Sequence, residues 1–542
     1  MVNYNDWNLT NDHSYNIYCA LKYCREHRKR GIQFPKGRYD FYEKMASEKL
    51  LFVANHGISK PCRIAFLLND MHNFTIDGCG SEFVFHGSII PTAILNCENI
   101  NIKNYSVDYE TLLSMETKVV AVGKGFADLL PKAEQKWFVK GKTLFSDDGY
   151  GNVAECRYMT IKGWYGENNY ISECKDVFGI GTAFEDLKNG MLRVYANVDF
   201  KEDMCIILQT CIRPATGIFI ENSKQICISN YEINRSYGMG VLAQKSKDIT
   251  IDNMIVRAKN GRELSLSGDG VHFVNCCGAI RVTNSSFESQ FDDALNIHGI
   301  FTKITAKGDD YIIVKYMHPD TRGIDLYENG SIIRTLDPDT LISNGRYTVK
   351  KAEVINDQYT KLYLNESTDN IRVCDVTEDL TQNCDLVFEN NRVLNNRGRG
   401  MLIAAKGKIR IKNNYFNTPG ASILFESDGK KWYESGGTCD VVISGNVFNS
   451  CLYGNCENWG SAVIDMRPRE KFDGQHYYHS KIEIINNKFY DNKKPLLYAD
   501  NAKTVIFNDN IIENQETKSV IYQNCGNFIC YNNKVDGKII NL

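Results

Sequence analysis

The sequence predicts an all-β chain built as a right-handed parallel β-helix, with two small β-barrel or sandwich modules inserted into it. Three observations carry that prediction: a recurring strand-and-asparagine segment, a basic period of 23 residues, and two long stretches that alternate without keeping the period. The segments read ICISN (226–230), ITIDN (249–253), IRVTN (280–284), LVFEN (386–390) and IRIKNN (409–414). They continue as VVISGN (441–446), IEIINN (482–487), VIFNDN (505–510) and FICYNN (528–533). Each has apolar residues at alternate positions, which is the strand period. Each ends in residues that tolerate a left-handed backbone, hence a turn. Successive starts lie 23, 31, 106, 23, 32, 41, 23 and 23 residues apart. A repeat this short is too small for a propeller blade or a helical pair, and the LxxLxLxxN pattern of leucine-rich repeats is absent. Stacked coils fit, with inward side chains forming one continuous core and the recurring Asn bonding from coil to coil.

Taken in order, residues 1–109 hold a cap and the first coils. NDHSYNIYCALKYCREH (11–27) reads as an amphipathic helix with an Asx/Ser start, placed to cover the open end of the solenoid. The first coils appear at NFTIDGCG and NINIKN. Residues 110–215 break the pattern and form the first inserted module, and 216–300 return to coils. The 106-residue interval exceeds one period by 83, so 301–384 is the second module, with strand-rich text such as YIIVKYM and KLYLNES. Residues 385–542 supply the last coils.

Composition excludes several classes of function. A net charge of −3 over 542 residues leaves no basic footprint for nucleic acid or an anionic membrane. Aromatics at 11% and only 10 Pro argue against disorder. No apolar run approaches the roughly 18 residues of a membrane span. The start, MVNYNDWNLTNDHS, lacks a basic and apolar leader. The 19 Cys are scattered and show no paired zinc spacing, so they read as free thiols used as small buried hydrophobes. That composition suits a cytoplasmic protein, or an exported one whose leader lies outside this sequence. Oligomeric state is left open.

The chemistry concentrates in DGVHFVNCCGAIRVTNSSFESQFDDALNIHG (269–299). Asp269 and Asp292 are 23 residues apart, one period, which puts them on neighbouring coils at one lateral position. Carboxylates about one strand spacing apart, roughly 5 Å, suit acid/base work on a sugar bond. Asp293 adjoins Asp292, and two adjacent strand residues face opposite ways unless the backbone bulges, so a bulge facing a groove is expected. His272, Gln290, Asn296 and His298 crowd alongside as candidate substrate contacts. Hydrolysis here needs neither metal nor cofactor, and none is expected. Further along, Trp432 offers an apolar platform for a pyranose face beside Glu434, an acceptor for hydroxyls. Arg397 or Arg399, in RGRG, would bind hydroxyls or steady the Asp pair. Asp465, Arg467 and Gln244 are further candidates.

DGVHFVNC, QFDDALNIHG, GMGVLAQ and WYESGG resemble the α-1,3-galactosidases of glycoside hydrolase family 110, and the resemblance runs from NHGISKP through VIDMRP. It implies a β-helix with β-barrel insertions and an inverting exo-hydrolase without cofactor. The implied substrates carry terminal α-1,3-linked galactose, either blood-group B antigens or linear Galα1-3Gal. The implied catalytic residues are Asp269, Asp292 and Asp293. The Asp, then Asp-Asp, order is also similar to the more distant polygalacturonases, which share the pectin-lyase-like solenoid. That likeness implies Asp292 as the general acid, with Asp269 and Asp293 activating water. The Gly-His-Gly and Arg-Ile-Lys motifs of that group are not in the expected places, which counts against pectin. Alternative readings are a β-helix hydrolase of another polysaccharide and a non-catalytic carbohydrate-binding β-helix.

Overall fold

The computed structural model describes residues 1–56, 58–163, 175–178, 183–210, 212–454, 457–468, 471–515 and 519–540, and its strands pair as the repeat requires. Gly57 of NHGISKP and Cys174, Cys211 and Cys456 lie outside the described residues. The alternating segments form one ladder of parallel pairings. Ile226 faces Ile249, Ile249 faces Ile280, Ile280 faces Leu386, and Leu386 faces Ile409. The ladder continues through Val441, Ile482, Val505 and Phe528. A second parallel ladder runs through Ile218–Glu221, Val241–Gln244, Val271–Val274, Leu295–Ile300, Met401–Ala404 and Ile423–Phe425. A third joins Ser286–Glu288, Arg392–Leu394, Tyr415–Asn417, Val447–Asn449 and Lys488–Tyr490. The inward residues of all three ladders merge into one buried cluster from Tyr4 to Cys530.

The asparagines do two jobs at the turn. The first takes a left-handed backbone, with φ of 48° at Asn230, 53° at Asn253 and Asn284, and 58° at Asn390. The second is buried and bonds across coils. Asn391 N donates to Asn414 Oδ1 at 2.8 Å, Asn414 N to Asn446 at 2.9 Å, Asn446 N to Asn487 at 3.0 Å, and Asn487 N to Asn510 at 2.9 Å. Each side chain thus satisfies backbone that burial has taken from water. Aromatic rings stack on the same spacing, Phe416 over Phe448 at 5.2 Å and Phe448 over Phe489 at 4.8 Å.

The helix spans His13–Glu26, with the Asp12 side chain accepting from Ser14 N at 2.9 Å as its N-cap. It buries Ile17, Ala20, Leu21 and Cys24 against strands Arg38–Tyr42 and Ile58–Asn69, at the first-coil end of the core. The pattern-breaking regions have sheets of their own. A seven-stranded antiparallel sheet lies between Met115 and Gln209, beside a three-stranded one within Lys136–Glu155. Six strands between Thr302 and Asp379 close into a barrel around Ile304, Ile312, Val314 and Val349. Cys24, Cys97, Cys276, Cys384 and Cys451 are buried free thiols, and burial raises the Cys276 thiol to about 12, so its thiolate is suppressed. No helix among the described residues is long and apolar enough to cross a membrane.

Candidate active site

A cleft of about 560 Å³ opens between the coils and the two inserted sheets. Its floor comes from the coils (Asp269, Asp292, Asn296, Arg397, Arg399), one wall from Tyr158, Asp176 and Gln209, and the other from Asp320, Trp432 and Glu434. Oxygens of Asp269, Asp292 and Asp293 lie within 4.8 Å of one another.

Register explains how three carboxylates converge. Val271 faces Leu295 and His272 faces Asn296, a step of 24 residues rather than 23. Asp269 is therefore level with Asp293, not with Asp292, and Gly270 N donates to the Asp293 carbonyl at 2.9 Å. The extra residue at this turn lets Asp292 project into the cleft while Asp293 stays beneath it. Their side chains are 23% and 0% exposed. RGRG closes over the pair. Gly398 adopts φ 94°, and a Cβ there would stand 3.2 Å from Asp293 Oδ1, so a glycine allows Arg397 and Arg399 to flank the aspartates.

Three guanidiniums sort the charges. Arg213 Nη2 donates to Asp292 Oδ2 at 2.7 Å, and Arg397 Nη1 lies 3.7 Å from Asp292 Oδ1. Burial works to raise the Asp292 pKa, but Arg213, Arg397 and Arg399 outweigh it and hold the group below its usual value. Arg399 donates to Asp293 from its backbone N at 2.9 Å and from Nε at 3.0 Å. Asp269 meets the opposite fate. Burial, then the Asp292 charge, pushes it up to about 8 despite Arg213 and Arg399. Asp269 Oδ1 accepts from Asp293 N at 3.0 Å, and its Oδ2 is 2.5 Å from His272 Nδ1. Asp293 is raised as well, to about 7, by burial and by the Asp292 and Asp269 charges despite Arg399, so the surroundings favour an ionised Asp292 beside protonated neighbours. The polygalacturonase likeness makes Asp292 the acid, whereas the cleft's cations gather on Asp292 and favour its ionised form.

The other sequence candidates divide. Asn296, Arg397, Trp432 and Glu434 line the cleft. Arg397 is tied by Nε to Asp176 Oδ1 at 3.0 Å, and its guanidinium stands 5.5 Å from the Trp459 ring. Trp432 is 43% exposed, 5.1 Å from the His318 ring. Its loop is shaped by Asp428, which accepts from the backbone N of Lys430, Lys431 and Trp432 at 2.6, 2.5 and 2.6 Å. His272 and His298 are buried behind Asp269 and do not reach the cleft. Gln244 is turned away as well. Its amide bridges Ala54 N at 3.1 Å, Phe52 O at 2.9 Å and Glu221, holding the N-terminal coils together. Gln290 is wholly buried, with neither amide atom hydrogen-bonded, and lies outside the cleft lining. Asp465 is fully buried against Ser461, whose N donates to it at 2.6 Å.

Comparison with known proteins fits this picture. Residues 311–376, within the closed barrel, match the family model "GLAA-B beta-barrel domain II". The chain is 30% identical to alpha-1,3-galactosidase A of Shewanella woodyi over 91% of its own length and 82% of that protein's. The chain belongs to the α-1,3-galactosidase family, glycoside hydrolase family 110. Alpha-1,3-galactosidase B of Phocaeicola vulgatus is 29% identical over 92% of the chain and 86% of the relative. That of Bacteroides thetaiotaomicron is 28% identical over 100% and 92%. Among solved structures, the GH87 α-1,3-glucanase catalytic unit from Streptomyces thermodiastaticus superposes with a TM-score of 0.45 at 12% identity, covering 99% of this chain and 64% of that one. The family 28 exopolygalacturonase of Yersinia enterocolitica gives 0.39 at 11%, covering 99% and 79%.

This family 110 chain keeps site residues that its sequence motifs did not announce. Arg213 sits alone in CIRPATG, and Asp176 and Tyr158 belong to the first inserted sheet. His56 is buried at the cleft floor, where desolvation lowers its pKa to about 3, and its Nδ1 lies 3.0 Å from the Ala54 carbonyl.

Proposed function

We propose that this family 110 protein is an exo-acting α-1,3-galactosidase, wound as a right-handed parallel β-helix, that releases terminal galactose with inversion and without a cofactor. The observation that carries the reading is the carboxylate trio, in which one member is held ionised and another protonated at the floor of a sugar-sized cleft. Asp269 turns the O–H that it holds towards His272 Nδ1 onto the glycosidic oxygen and gives up that proton as the C1–O bond breaks. A water oxygen bonds to C1, and Asp292 takes the proton that water loses. Asp293, locked to Arg399, orients Asp269 through its backbone N. Trp432 carries the pyranose face, while Glu434, Asn296 and Arg397 meet hydroxyls. Handedness follows the near-universal rule for parallel crossovers.

The carboxylate spacing taken alone is shorter than the roughly 6.5–9.5 Å of a simple inverting pair. Inversion is what the family resemblance implies, and Arg213 bonds one oxygen of Asp292, which leaves the other to take a proton from water. The test is galactose release from Galα1-3Gal by the native chain and by Asp292→Asn and Asp269→Asn. Each variant should lose about 10²–10⁴-fold in kcat with KM little changed. Asp269→Asn should recover most on an aryl α-galactoside whose leaving group needs no protonation. Unchanged turnover in Asp292→Asn would sink the assignment, and no release of galactose by the native chain would sink the activity.

A further inference from the structure

Behind the trio, and outside the cleft, His272 and His298 form a buried chain with fixed polarity. His298 Nδ1 is 2.7 Å from the Gly299 carbonyl, which can only accept, so that nitrogen carries a hydrogen. His298 Nε2 is 3.0 Å from His272 Nε2, and His272 Nδ1 is 2.5 Å from Asp269 Oδ2. Each of those two contacts needs one hydrogen between its atoms. If His272 supplies the first, its Nδ1 is bare when neutral, and Asp269 must supply the second as a carboxylic acid. If His298 supplies the first, His298 is an imidazolium. If His272 supplies both, His272 is one. Every arrangement contains one proton more than an ionised Asp269 with two neutral imidazoles.

We propose that the Gly299 carbonyl, His298 and His272 oblige the Asp269 site to hold one proton in the substrate-free protein, making both histidines positioning residues that arm Asp269 as the acid. Exposures of 3%, 0% and 4% for Asp269, His272 and His298 favour the arrangement with no separated charge, which leaves that proton on Asp269. Desolvation drives the His272 pKa well down in the same sense, with His298 next in effect. The charged groups facing the chain are Arg213, Arg399, Asp292 and Asp293 at the Asp269 end. At the His298 end is Glu434, its Oε1 3.7 Å from His298 Nε2. His56 also borders His272. The role as acid rests on the galactosidase reading, whereas the stored proton does not.

Neutron diffraction from the deuterated, substrate-free protein separates the two. Deuterons are expected on His298 Nδ1, on His272 Nε2 and between Asp269 Oδ2 and His272 Nδ1. A bare His298 Nδ1, or no deuteron between Asp269 and His272, would overturn the proposal whatever the protein hydrolyses. In activity, His298→Phe removes the acceptor that fixes His272. It should lower kcat/KM about tenfold at pH 8 and little at pH 5.5, as the alkaline limb moves down. His298→Gln, which restores an acceptor, should return the limb. Equal losses at both pH values in both variants would mean that His298 is merely structural.

Discussion

At the residue scale one cluster holds Asp292 below the usual carboxylate range while burial raises its neighbours Asp269 and Asp293. Asp269 carries a folded pKa near 8 against an ordinary value of 3.8, so between those values the folded chain holds a proton that the unfolded chain has released. Stability from this group is therefore full below about pH 4 and falls as pH rises towards 8. His272 acts in the opposite sense, but only below its ordinary value of 6.5. Above that pH His272 adds no slope, and Asp293, raised to about 7, adds to that of Asp269 in the same sense. Asp269→Asn, which cannot ionise, should gain stability over the native chain between pH 6.5 and 8, by at most about 1.4 kcal/mol per pH unit. Thermal unfolding of both proteins at the two pH values checks this, and parallel midpoints would deny the raised pKa. The trio was legible in the sequence because adjacency and a repeat period together mark DG and FDD as more than turns. Arg213 was not, since nothing in CIRPATG relates to Asp292 until the fold joins residues 79 apart. Gln244 misled for a related reason: spacing gave its coil, but not which way its side chain leaves the strand.

At the element scale, the Asn ladder does for the turns what the apolar alternation does for the core. Asn487 accepts from both Asn446 N and Asn446 Nδ2 at 3.0 Å and donates to the Ile443 carbonyl at 2.9 Å, all out of water. Asn487→Ala strands those groups, at about 1–3 kcal/mol for each one left without a partner. Its unfolding midpoint should drop by several degrees, while that of the surface change Lys488→Ala holds. An unchanged midpoint in Asn487→Ala would show that the ladder is incidental. The segments and their turns could be read directly, because a strand that buries one face must alternate. The one-residue slip at Val271–Leu295 could not. The adjacent acids announced a bulge at Asp292 and Asp293, but a period counted from sequence does not say which level of the next coil Asp269 then meets.

At the scale of the whole molecule, the coils supply the carboxylates, and the inserted regions share the walls with the coil loop that carries Trp432 and Glu434. Arg397 joins the two, since it lies against Asp292 and is bonded to Asp176 of the first inserted sheet. Glu378 of the barrel is buried in ion pairs with Arg334 and with Lys406 of the coils, which fixes the barrel beside the same cleft. The broken period exposed both interruptions in the sequence, because neither 110–215 nor the 106-residue interval from Ile280 to Leu386 fits one coil. What those regions contribute to the cleft could not be foreseen, since wall residues such as Asp176 and Asp320 follow no repeat. The reading as a whole is an α-1,3-galactosidase that attacks with water from the face opposite the leaving sugar. Proton NMR of the first galactose released from Galα1-3Gal tests this most directly. The account predicts β-galactose as the initial signal, with α-galactose growing only as mutarotation proceeds, and α-galactose appearing first would contradict it.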